Sequence, residues 1–250
     1  MILFILWTST VSLKMLLIGV SLWKKIFPMY LAFYFYIGLT TLLGLLRLYV
    51  KVLQPSDYLA LYWWTQFLIV AVGYGVTWEI FSLTLRFYPG VRKLARFLVT
   101  GVFLVVILQF LLSSLTGPFA VGVMSLERNM RAVEVTLLLS LVGLIINYGL
   151  SIGRNLFGIF LGYGLFLTSH TVALFLHNTL GPSAQSWLNP FRQICELLVL
   201  FIWLATLWNE HPVPFPTTQT LEEDYAVLSA RTSRLIARAR AQIMRIFAAS

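Results

Sequence analysis

The stretch FGIFLGYGLFLTSHTVALFLHNTLGP, residues 157–182, decides the class of this protein. It contains no Lys, Arg, Asp or Glu, and an α-helix needs about 20 such residues to cross a hydrocarbon core about 30 Å thick. Its apolar residues follow one another without the period-two alternation of barrel strands, so it reads as a membrane helix. Six more runs share that character, giving spans at roughly 2–22, 28–50, 59–84, 97–116, 132–152, 156–177 and 190–208. With 59% hydrophobic and only 11% charged residues, the chain is expected to be an all-α polytopic membrane protein with seven transmembrane helices.

Turn-forming residues separate the runs: Phe27 and Pro28, Gln54 to Asp57, Pro89 and Gly90, Gly117 and Pro118, Gly181 and Pro182, and Asn189 and Pro190. The loops are short, so residues 1–210 form one transmembrane domain without a soluble enzymatic module. The N-terminus lacks a basic n-region and a small-residue cleavage site, and Lys14 interrupts its apolar run, so it is expected to remain as the first helix. Twelve basic residues fall on one side of this topology, including Lys24, Arg92 and five tail arginines, against five on the other. The expected orientation is an outside N-terminus and a cytoplasmic C-terminus in a bacterial inner membrane. The net charge of +9 reflects topology and attraction to anionic headgroups, not nucleic-acid binding, which needs a basic soluble module.

Residues 211–250 differ in composition. NEHPVPFPTT, residues 209–218, is a proline-broken linker, and residues 220–247 read as a cytoplasmic amphipathic helix. Thr220 and Glu223 make a capping box, and Leu221, Tyr225, Leu228 and Leu235 recur at helical spacing. That helix is either a surface anchor on lipid or a signalling element.

Charges inside the spans must face the bundle and find partners. Matching depth along the sequence pairs Lys14 with Glu79 and gathers Arg47, Glu134 and Glu196 on the outer side, as interhelical ties or as an ion relay. Cys195, the single cysteine, reads as a packing residue. The GxxxG step Gly158–Gly162 and the nearby Gly164 offer close helix contact or room for a flat ligand. Helix seven carries no lysine for a retinal Schiff base, and HExxH and GxSxG are absent, so catalysis is not expected.

WEIF at 78–81, RFYPGVRKLAR at 86–96 and GRNLFGIFLGYGLF at 153–166 resemble an uncharacterised family of bacterial seven-helix membrane proteins. That resemblance implies a topology and no site residues. The membrane histidines and the 15% aromatic content also give a fainter likeness to pigment-carrying accessory subunits of bacterial photosynthetic reaction centres.

His170 and His177 share a helix face about 10 Å apart, too far to clamp one haem. Each alone could ligate the metal of a chlorophyll or bacteriochlorophyll. The alternative is a structural pair, with His177 at the headgroups and His170 bonded to Glu134, Glu196 or a backbone carbonyl. Two functions follow. In one the chain is a non-catalytic subunit of a larger complex, meeting other integral membrane subunits and binding chlorophyll, carotenoid or lipid. In the other it is a receptor-like sensor whose outer polar cluster takes a ligand and whose tail helix signals to a partner. A small transporter ranks third.

Overall fold

The computed structural model describes residues 2–150, 152–180 and 185–208, together with residues 223, 225–227, 229 and 230. Among these the regular structure is entirely helical. The helices are α1 (Ile2–Trp23), α2 (Leu31–Leu53), α3 (Tyr58–Thr84), α4 (Pro89–Thr116), α5 (Phe119–Tyr148), α6 (Arg154–Leu180) and α7 (Gln185–Leu207), with a 3₁₀ turn at Phe27–Tyr30 before α2. All seven are long and apolar enough to cross a membrane, and the chain is a multi-pass membrane protein by that measure. The amphipathic helix expected at 220–247 falls mostly outside the described residues. Tyr225, which is described, packs against the bundle core.

Three helices, α4, α5 and α7, begin earlier than hydropathy alone places them. α4 starts at Pro89, eight residues before the expected 97, because proline suits the first helical turn, where its missing N–H is no loss. The basic residues Arg92, Lys93 and Arg96 therefore lie on the first turns of α4. α5 starts at Phe119 instead of 132, since the buried residues Val123, Leu126 and Met130 continue one helical face through the charged turn of Glu127, Arg128 and Arg131. It also stops early. Gly149 adopts a left-handed conformation at φ 58°, its N–H and that of Leu150 both reach the Ile145 carbonyl, and this glycine cap ends the helix.

Six helices form a closed ring in which α1 meets α2, α2 meets α3, α3 meets α5, α5 meets α6, α6 meets α7, and α7 returns to α1. α4 packs outside this ring against α3 and α5. It turns Phe97, Leu104, Val105, Leu111 and Leu115 outward, which suits hydrocarbon. The core is aromatic and aliphatic, with Phe33 edge-on to Trp203 at 4.8 Å and Tyr163 and Tyr34 almost fully buried.

The closest approach is between α6 and α7. A Cβ at Gly158 would collide with the Thr206 side chain, and one at Gly162 with the Trp203 indole. The GxxxG step thus serves helix contact. Gly162→Val is expected to destabilise the bundle by about 1–3 kcal/mol, the usual cost of overpacking. Gly143→Ala, where a Cβ meets nothing within 4 Å, should leave stability unchanged or raise it by up to about 1 kcal/mol through helix propensity. Thermal denaturation in detergent measures both.

Candidate functional site

Charged and polar side chains from all six ring helices converge on a cavity of about 190 Å³. Lys14 comes from α1, Tyr36, Thr40 and Arg47 from α2, Gln66 from α3, Arg131 from α5, Phe166 and His170 from α6, and Arg192, Glu196 and Trp203 from α7. Lys14 lies 12 residues beyond Ile2, and Glu196 lies 11 beyond Gln185. At helical rise these are depths of about 18 and 16 Å from the same end of the bundle. In helices of 22 and 23 residues this is mid-depth, and Arg47, Gln66 and Arg192 lie about 9, 12 and 10 Å from that same end, so the cavity extends from mid-depth toward the α2–α3 loop.

Partners inside the site differ from those that sequence depth implies. Lys14 Nζ is 2.6 Å from Glu196 Oε1, not paired with Glu79. α7 begins at Gln185 and not at 190, and those extra residues bring Glu196 to the level of Lys14. Glu79 has another role. Its two oxygens accept hydrogen bonds from the backbone N–H groups of Ala32 at 3.0 Å and Phe33 at 2.9 Å, capping α2 from the neighbouring helix.

The expected cluster of Arg47, Glu134 and Glu196 is likewise divided. Arg47 and Glu196 line the same cavity, but Arg47 donates to Thr65 Oγ1 at 2.7 Å, to Gln66 Oε1 at 3.1 Å and to the Tyr62 carbonyl at 3.2 Å. Its guanidinium lies 4.5 Å from the Tyr62 ring centroid. Glu134 is buried beside Tyr163, with its Oε1 3.4 Å from the hydroxyl.

Arg131 and Arg192 are site residues that the topological charge count places among the five basic residues flanking the spans on one side. Arg131 is buried and donates through Nε and Nη2 to Glu127 Oε1 at 3.0 and 2.7 Å, one turn away. The i, i+4 spacing of Glu127 and Arg131 was a readable sign that the helix extends through them. Arg192, half-buried, lines the cavity and has no hydrogen-bond or ion-pair partner among the described residues. Four cations and one carboxylate thus face the cavity. Glu127 neutralises Arg131 from behind, and Arg47 and Arg192 have no acidic partner.

His170 lines the cavity, packs on the Phe166 ring at 4.2 Å and places Nδ1 3.1 Å from the Phe166 carbonyl oxygen. With Nδ1–H donating to that carbonyl, the neutral ring keeps an acceptor at Nε2. His177 lies in α6, but its side chain is outside the described residues, as is His211. The space beside His170, about 190 Å³, is smaller than the roughly 300–1,000 Å³ of drug-sized ligand pockets. Among the described residues no three His, Cys, Asp or Glu side chains are placed to hold a metal ion.

The Lys14–Glu196 pair lends itself to a double-mutant cycle. Lys14→Met and Glu196→Gln should each cost roughly 2 kcal/mol, below the about 3–5 kcal/mol of a fully buried pair because both side chains keep partial exposure. The double variant should recover part of that loss, whereas Lys14→Met combined with Glu79→Gln should be additive. Unfolding in detergent reads the coupling. Comparison of the chain with protein-family models, with curated proteins and with solved structures found no match.

Proposed function

We propose that this chain is a receptor-like membrane protein that captures a small organic anion, of the carboxylate, sulfonate or phosphate class, in the cavity between its six ring helices. The observation that carries this reading is Arg192, a cavity-lining arginine that makes no ion pair or hydrogen bond among the described residues, in a site where cations outnumber carboxylates. An arginine at membrane depth is costly unless it is paired or hydrated, and a guest oxyanion supplies a pair. The planar guanidinium fork matches carboxylate and phosphate oxygens in bidentate geometry. A volume of about 190 Å³ admits a guest of a few heavy atoms.

The receptor-like reading is supported by the placement of α7. The helix carries Arg192 and Glu196 into the site at one end, and its other end leads into the C-terminal segment. There Lys24 donates to the Trp208 carbonyl at 2.6 Å and sits 5.5 Å from the indole centroid, tying the end of α7 to the α1–α2 connection. A guest that shifts Arg192 acts on the helix that the tail continues. The excess of basic residues at the opposite end of the bundle favours an outward-facing cavity.

Acetate, methanesulfonate or phosphate should raise the thermal stability of the purified protein, by about 2.7 kcal/mol at 100 times the dissociation constant. Arg192→Gln should weaken the effect at least about tenfold, equivalent to about 1.4 kcal/mol, and Arg47→Gln should weaken it in the same direction. Lys93→Gln, exposed on the first turns of α4, should leave it unchanged. Equal stabilisation of the wild-type protein and the Arg192 variant by all three anions would reject the site.

A further inference from the structure

Glu134 is the acidic side chain that the ion pairs of the cavity leave unused. It lies on α5 one turn beyond Arg131, is 3% exposed, and takes part in no ion pair among the described residues. Its neighbour is the Tyr163 hydroxyl of α6, 3.4 Å from Oε1, and that same hydroxyl lies 2.7 Å from the Gly73 carbonyl oxygen of α3. A Cβ at Gly73 would approach the hydroxyl to 3.1 Å, so glycine leaves room for this contact.

A tyrosine hydroxyl carries one proton, and a carbonyl oxygen only accepts. The short distance assigns the Tyr163 proton to Gly73. The contact between Tyr163 and Glu134 is then attractive only when the carboxyl group brings a proton of its own. Other neighbours do not replace it. Tyr74 of α3 donates to the Val99 carbonyl at 2.7 Å, Tyr36 of α2 meets the Tyr163 ring edge-on at 6.0 Å, and Arg131 is held by Glu127. A buried carboxylate held by no ion pair is disfavoured in hydrocarbon; the charge of Arg131 one turn away offsets part of that penalty, and protonation removes the rest.

We infer that Glu134 is a proton-binding site coupled to the anion cavity, so that the protein binds a small anion together with a proton. This inference rests on the anion-binding reading of the cavity. Arg131 is the link, since it lines the cavity and stands one helical turn from Glu134. With Glu134 neutral, the field of Arg131 is available to a guest anion. With Glu134 ionised, its negative charge competes for that field and repels the guest. Anion and proton entering together leave the net charge of the bundle unchanged.

The sign is fixed by this arrangement. Affinity is highest while Glu134 is protonated and falls as pH rises through its ionisation, by at most about tenfold per pH unit for one coupled proton. Other groups face the same space: His170 from α6, Lys14 from α1, Arg47 from α2, and Arg192 and Glu196 from α7. Protonation of any of these groups favours an anion, so the experiment must separate His170 and Glu196 from Glu134.

The test uses full-length protein in detergent and methanesulfonate, whose charge does not vary over the working pH range. Wild-type affinity should fall with rising pH, Glu134→Gln should bind with pH-independent affinity, and His170→Gln and Glu196→Gln should each keep the wild-type slope. Infrared spectra should show a carboxylic C=O band, sensitive to D₂O, that Glu134→Gln removes. A slope that survives in Glu134→Gln, or vanishes in His170→Gln or Glu196→Gln, overturns the coupling while leaving anion binding intact. Absence of the carboxylic band overturns the proton site, and absence of methanesulfonate binding at every pH overturns the cavity reading and the coupling with it.

Discussion

A charged side chain has no stable place against lipid, and the arrangement of this bundle follows from that constraint. Lys14, Arg47, Arg131, Arg192 and Glu196 come from four separate helices, and all of them face one interior space. Ring closure is what brings them there. α4 carries none of the cavity-lining residues and lies outside the ring with leucine, valine and phenylalanine turned outward. The division of labour among the helices is therefore electrostatic before it is steric.

Packing makes the ring tight enough for those charges to meet. The glycine step on α6 lets Trp203 and Thr206 of α7 come against its backbone, and Trp203 also forms part of the cavity wall. The same indole meets Phe33 of α2 edge-on. One side chain thus joins three helices, and the floor of the site is rigid where its charged walls are built from longer, adjustable side chains.

The helical class was legible in the sequence because every run is apolar along its whole length. The turns at Phe27–Pro28, Gln54–Asp57, Pro89–Gly90 and Gly117–Pro118 fall at or beside breaks between helices, whereas Asn189 and Pro190, which also read as a turn, lie inside α7, and the expected turns omit the break at Gly149 before α6. The starts of α4 and α5 were not, since hydropathy discounts a charged turn even where the apolar face of the helix continues through it. That error hid Arg131, and the late start assigned to helix seven hid Arg192 and mispaired Lys14. Glu134 and Glu196 were recognised as buried acids from their place in apolar runs. Their partners, Tyr163 and Lys14, depend on ring closure, which no local pattern in the chain encodes. The carbonyl partner of His170 was among the structural alternatives, whereas the polar cavity beside it required six helices to be placed at once.

The cap that Glu79 gives to α2 has a further consequence. A helix that starts inside a membrane protein normally draws hydration toward its first amides, because those N–H groups have no partners in their own helix. Here a carboxylate from α3 stands in for that water at Ala32 and Phe33. α2 can therefore begin directly after the Phe27–Tyr30 turn without opening the bundle to solvent at that level. Glu79 thus closes the amide end of α2 with protein groups from its neighbour.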